Sequence, residues 1–126
     1  AQYKKVLEQF HDSVISLVNA ASMMLNDNSQ LAEVWLQRAL EISPKERNVL
    51  YNLGLLYQTR ARWQQAHAYF QQTIALFPND LLALANFARA QINLRDFDQA
   101  RQSIDRLTAR TERACARTTN RAPCMD

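Results

Sequence analysis

Few residues of this chain are of types that do chemistry, and their spacing does not favour it. Histidine occurs twice, as His11 and His67, far apart in the sequence. Acid–base catalysis needs titratable groups that converge in one pocket, so each is read as an isolated surface histidine. Cys115 and Cys124 have no histidine or further cysteine at zinc-ligand spacing, so no metal site is expected. Gly54 is the sole glycine, which excludes the phosphate-cradling loops that need two or three, and the G-x-S-x-G nucleophile turn with them. The residues therefore point away from an enzyme and imply no cofactor. What remains is a basic pattern. Residues 1–100 hold nine basic and nine acidic side chains, so the net charge of +3 arises in residues 101–126, which carry six arginines. Arg106, Arg110, Arg113, Arg117 and Arg121 would fall within roughly 80° of one helix face. Such a stripe can bind nucleic acid or an acidic protein surface. It lacks interleaved aromatic residues for base stacking, and a solvated face capping the end of a helical stack is the favoured reading.

The elements that must position these residues are helices. With 126 residues, 48% apolar and 21% charged, the chain suits one globular domain. One glycine, three prolines and no Asn-Gly or Asp-Gly pair leave no material for tight β-hairpins, so an all-α fold is expected. The longest charge-free apolar stretch, Ser13 to Asn26, has 14 residues, short of the roughly 20 that cross a bilayer. The chain starts at Ala1, without methionine or a basic-then-apolar leader, which leaves room for a segment removed ahead of it.

The sequence repeats at a shift of 34 residues. Pro44 falls on Pro78, Trp63 on Phe97, and Ala32 on Ala66 and Ala100, each alanine followed four residues on by Leu36, Phe70 or Ile104. Leu50, Leu53 and Gly54 fall on Leu84, Phe87 and Ala88. Small residues at Gly54 and Ala66 let two antiparallel helices approach closely, while Leu53, Tyr57 and Phe70 fill the space around the contact. Arg47 to Asp80 resembles the tetratricopeptide repeat through Leu53-Gly54, Tyr57, Trp63, Ala66, Phe70 and Pro78, departing at Leu50 and Thr73. Leu81 to Ala114 resembles it more loosely, and Ser13 to Glu46 chiefly in its second half. The resemblance implies a right-handed α-solenoid of three antiparallel helix pairs over units 13–46, 47–80 and 81–114, with an N-terminal helical extension at 1–12 and an irregular tail at 115–126. It also implies a non-enzymatic scaffold that binds a peptide or helix of another protein in its concave groove. The alternative is a nucleic-acid adaptor working through the C-terminal arginines.

Helices are expected at about 3–26, 30–42, 45–59, 63–77, 81–94 and 97–115. Ser43-Pro44-Lys45-Glu46 reads as a capping box opening a helix near Lys45, and Asp96 with Gln99 as the start of another at Phe97. The family's groove slots fall on Asn48, Tyr51, Asn52, Leu55 and Gln58, then on Leu82, Ala85, Asn86, Arg89 and Asn93. Of these Asn48, Tyr51, Asn52, Leu55, Asn86 and Arg89 are the expected partner contacts. Asn52 and Asn86 are repeat-equivalent, and each amide can both donate and accept toward an extended backbone. The family's chaperone-tail clamps place Lys and Arg at slots that here hold Leu17, Ala21, Asn52, Leu82 and Asn86, so that specialised function is not implied. In the first helix, Tyr3, Leu7, Phe10, Val14, Leu17, Ala21 and Met24 alternate by four and three. A strict 34-residue frame turns this seam to the groove and puts Ser16 and Asn19 in the core. A turn one residue shorter before Ala32 puts Leu17, Ala20, Ala21 and Met24 there instead. Tyr3, Leu7 and Phe10 extend past the repeats, which implies a partner helix, a second copy or a missing preceding unit, and they are read as an assembly surface. Cys115 and Cys124 flank a helix-breaking segment, and a continuous helix would hold them about 13 to 14 Å apart, so a bridge needs the helix to end between them. An oxidised pair is expected, and with it an extracytoplasmic setting such as a bacterial periplasm.

Overall fold

The computed structural model describes residues 14–118, with side chains through Arg113. Among the described residues there are six helices and no strand: α1 (Val14–Met23), α2 (Ser29–Ile42), α3 (Arg47–Thr59), α4 (Trp63–Leu76), α5 (Leu81–Asn93) and α6 (Phe97–Thr118). Each packs on its successor, α1 also touches α3, and the result is an all-α solenoid of antiparallel pairs. Tyr3, Leu7, Phe10 and His11 lie outside the described residues, as do Arg121, Cys124 and the side chains of Cys115 and Arg117.

The repeat is written into the turns. Ala61 and Arg95, 34 residues apart, sit at φ 57° and 63°, the left-handed conformation that normally favours glycine. The Arg62 amide donates to Tyr57 and that of Ala61 to Gln58; the Asp96 amide donates to Gln91 and that of Arg95 to Ile92. Both are the paired six-to-one and five-to-two bonds of a Schellman stop, built without its usual glycine. The opposite turns match equally well, the Ser43 amide donating to Ala39 as that of Phe77 does to Thr73. Here the expected capping box is corrected. Ser43 closes α2, Pro44 lies in the turn, and α3 starts at Arg47 with Glu46 as its cap residue and no side-chain cap bond. Ser43 is spent on ending one helix and so is not free to open the next. Its equivalent start, at α5, is capped by Asp80, which accepts from the Ala83 amide at 3.1 Å. At the far end α6 runs through Thr118, beyond the 114/115 boundary where a tail was expected.

Gly54 sets how closely the helices of the central pair approach. A Cβ placed on it would lie 2.5 Å from Phe70 Cε1 and 2.7 Å from Cζ, and Phe70 is fully buried with no room to retreat. Ala66 and Leu53 are buried beside it. Thr73, in a slot where the repeat usually holds alanine, is also buried, and its hydroxyl donates to the Tyr69 carbonyl of its own helix. Between α5 and α6 the buried Ser103 hydroxyl donates to Gln91 Oε1 at 2.7 Å, which satisfies both groups.

The register of α1 follows the shorter turn. Leu17, Val18 and Ala21 are buried and Met24 packs half-buried on the same core, whereas Asn19 is exposed. Eleven residues separate Ala21 from Ala32 where twelve separate Gly54 from Ala66, so α1 is offset by 33 residues from α3 rather than 34. The strict frame, with Asn19 in the core, does not hold.

Two stability outcomes follow from these contacts. Gly54→Ala drives a methyl into the Phe70 ring and should destabilise the domain by about 1–3 kcal/mol in denaturant titration. Ala61→Gly relieves a left-handed alanine on an exposed turn and should stabilise by about 0.5–1 kcal/mol, with an unchanged m-value.

Candidate functional site

The first helices of the pairs form one layer. α1 lies alongside α3, and α3 is tied to α5 by two bonds spanning one repeat. Arg47 at the start of α3 pairs with Asp80 at the cap of α5, its Nη2 reaching Oδ1 at 3.1 Å. Tyr51 accepts a hydrogen bond from Asn86 Nδ2 at 3.1 Å. The Arg47 guanidinium lies 4.2 Å from the centre of the Tyr51 ring, and that ring meets Phe70 at 5.8 Å. The Arg47 hydrogen bond holds the Asp80 carboxyl below its ordinary range.

Of the residues expected to contact a partner, Asn48 and Arg89 are exposed, and Tyr51, Asn52, Leu55 and Asn86 are half-buried. They share the layer but are unequally available. Tyr51 and Leu55 pack on the core, and Tyr51 is engaged on its ring and at its hydroxyl. Asn52 Nδ2 donates to the Asn48 carbonyl, Asn86 to that of Leu82 and Asn93 to that of Arg89, each four residues back. This pins each amide against its own helix. Leu82 is 61% exposed on the same layer.

Sequence reasoning missed the α1 end of this surface. A cavity of about 200 Å³ opens between α1 and the start of α3, lined by Val14, Ile15, Val18, Asn19, Glu46 and Asn48. With the 33-residue offset, Asn19 takes the position that Asn52 and Asn86 hold in the later units. The shorter spacing from Ala21 to Ala32 is the signal that would have found it.

On the other side of the core, Glu33 of α2 accepts from the Tyr57 hydroxyl at 2.6 Å and from Arg60 Nη1 at 2.8 Å. Tyr57 stacks on Tyr69 with parallel rings 5.7 Å apart. Burial, reinforced by Glu33, pushes the Tyr57 phenol up to about 12, while the Tyr57 and Arg60 bonds hold Glu33 below its ordinary range. This is a structural clasp between successive units, and its Glu33 end borders a cavity of about 490 Å³ lined by Glu33, Val34, Gln37, Arg38 and Glu41. His67 is corrected likewise. It is a joint residue, not a free surface one: its ring stacks on Phe87 of the next unit at 4.6 Å. Of the arginine stripe, Arg106 and Arg113 are exposed, but Arg110 is half-buried with Nη1 enclosed and unpartnered. No group of three His, Cys, Asp or Glu among the described residues could hold a metal, and no helix among them is long and apolar enough to cross a membrane.

Family models bear directly on this architecture. One for the tetratricopeptide repeat matches residues 12–79, and a second of the same description matches residues 59–117. The chain belongs to the tetratricopeptide repeat family. Solved structures of MamA share its fold. MamA MSR-1 C2 superposes with a TM-score of 0.77 at 18% identity, covering 89% of this chain. This chain spans only 65% of that one. Two further MamA crystal structures give TM-scores of 0.67 and 0.68 at 18% and 19% identity, over 96% and 90% of this chain and 85% and 87% of theirs. At such identity the likeness is one of fold. No curated protein matches the sequence. As a tetratricopeptide repeat protein, the chain is a solenoid of paired helices.

The joint at His67 has a pH signature. Burial lowers its pKa below the ordinary 6.5, against a smaller opposing pull from Asp96. A base whose pKa is depressed on folding contributes stability that is full above the unfolded value and is lost as pH falls through the folded one. Thermal melts should therefore show stability declining below pH 6.5, before carboxylates titrate, and His67→Phe should flatten that part of the profile.

Proposed function

We propose that this tetratricopeptide repeat protein binds an extended segment of another protein along the layer formed by α1, α3 and α5, without catalysing a reaction. The observation that carries this reading is the asparagine at one repeat position in all three units, Asn19, Asn52 and Asn86, on a face that also exposes Leu82 and Arg89. The Oδ1 atoms of Asn52 and Asn86, whose Nδ2 groups bond within the protein, can accept from the peptide N–H groups of a segment lying across the helices, and Asn19 adds a third amide. Asn48, Tyr51 and Leu55 complete the proposed contacts. The cavity beside Ile15 and Val18 would take one apolar side chain of the ligand, and Glu46 at its rim favours a basic neighbour. The units bounded at 13–46, 47–80 and 81–114 each contribute one helix to the face.

The nucleic-acid reading gains nothing from the structure, since one member of the stripe, Arg110, is partly enclosed. Capture from the native source, with the wild type and with a combined Asn52→Ala, Asn86→Ala and Arg89→Ala variant, tests the proposal. The partner should be lost from the variant while it keeps the wild-type helical spectrum, its melting temperature falling by no more than a few degrees for the lost Asn86–Tyr51 bond. Equal recovery of the same partner by both proteins would remove this face from the account.

A further inference from the structure

The layer of first helices is almost without charge. Along α1, α3 and α5 the sequence places two charged side chains, Arg47 and Arg89. Arg47 is spent inside the protein, on the Asp80 carboxylate and over the Tyr51 ring. Arg89 is exposed and enters neither ion pair found among the described residues. One turn before it on the same face, Asn86 has spent both amide hydrogens, on the Leu82 carbonyl and the Tyr51 hydroxyl, and keeps its Oδ1 as an acceptor. The surroundings are neutral. Leu82, two turns before Arg89, is 61% exposed, Ala85 is exposed between them, and Tyr51 and Leu55 are half-buried on the neighbouring helix. A free guanidinium beside an amide oxygen is thus the charged feature that these three helices offer a ligand.

Resting on the reading of this layer as a binding face, we infer that the bound segment carries one acidic side chain, Asp or Glu, that pairs with Arg89 over α5. A guanidinium takes a carboxylate through two parallel bonds. The peptide N–H of that acidic residue, or of its neighbour, then falls to Asn86 Oδ1. A carboxylate at a chain terminus fits less well, because it lies on the backbone itself and would be pressed against that same oxygen, which repels it. Elsewhere on the three helices a charged side chain of the ligand would lose water without gaining a partner, so the remaining contacts are uncharged. A basic residue is accommodated only at the rim, beside Glu46 ahead of α3. The partner segment is therefore nearly neutral, with its acid inside the segment and not at its end.

The test is a library of random short peptides, tethered at both ends, panned against the purified chain. The enriched sequences are then made with an amidated carboxyl terminus, and their binding is measured by fluorescence anisotropy. They should share one Asp or Glu, and replacing it by Asn or Gln should weaken binding about tenfold or more. Arg89→Glu should weaken the acidic peptide as much and, because the position is exposed, keep the wild-type helical spectrum. A peptide with Lys in place of its acid should regain affinity for that variant. Binders that need Asn52 and Asn86 but share no acid, or that bind Arg89→Glu as tightly as the wild type, would overturn the proposal and leave the layer as the binding face. Binding restored only by a free carboxyl terminus would overturn it in favour of end capture. A library without binders, or binders indifferent to Asn52→Ala with Asn86→Ala, would overturn the proposal and the layer together.

Discussion

The contact between Gly54 and the Phe70 ring is the constraint on which the rest of the structure depends. A Cβ at Gly54 would strike the Phe70 ring, so this pair can lie this close only without a side chain there, and the equivalent positions of the flanking units, Ala21 and Ala88, are also small and nearly or fully buried. Close approach within each pair brings the apolar faces of the helices into one core from Leu17 to Phe87. It also leaves the first helix of each pair on one side and the second on the other. Turn chemistry is subordinate to this packing. Ala61 and Arg95 are held in a conformation that costs each about 1 kcal/mol because the helix-to-helix distance requires the chain to reverse there.

The division of labour between the two sides follows from what joins successive units. Away from the asparagine layer, Glu33, Tyr57 and Arg60 interlock and the Tyr57–Tyr69 stack closes over them. Those polar groups bond to one another across the joint. On the asparagine layer the ties are sparser, an ion pair at Arg47 and Asp80 and one bond from Asn86 to Tyr51. Asn19, Asn48 and Arg89 stay exposed between them. On the proposed reading, these exposed side chains are the ones a bound segment would meet.

Much of this was legible in the sequence because the repeat is carried by residue size at fixed spacing. Alanine at 32, 66 and 100 and the large residue four positions on specify the second helices almost to the residue. The first helix was harder, because a one-residue deletion in its turn rotates every position by about 100° and sends Asn19 from an apparent core slot to the surface. Ser43 misled for a different reason: a serine before a proline suits the start of a helix, but the same residue had already been claimed as the end of α2. His67 and the Arg47–Asp80 pair were invisible to local reading, since each meets its partner only when neighbouring units stack. Asn52 and Asn86 were found by equivalence, and Asn19 needed the corrected offset.

The central claim is that the asparagine layer, and not the opposite side, receives a partner. Site-specific photo-crosslinking tests it most directly, with a photoreactive residue placed at exposed Leu82 on α5 in one protein and at exposed Val34 on α2 in another. The account predicts a covalent adduct to a partner segment from position 82 and none from position 34. Adducts from position 34 alone would contradict it.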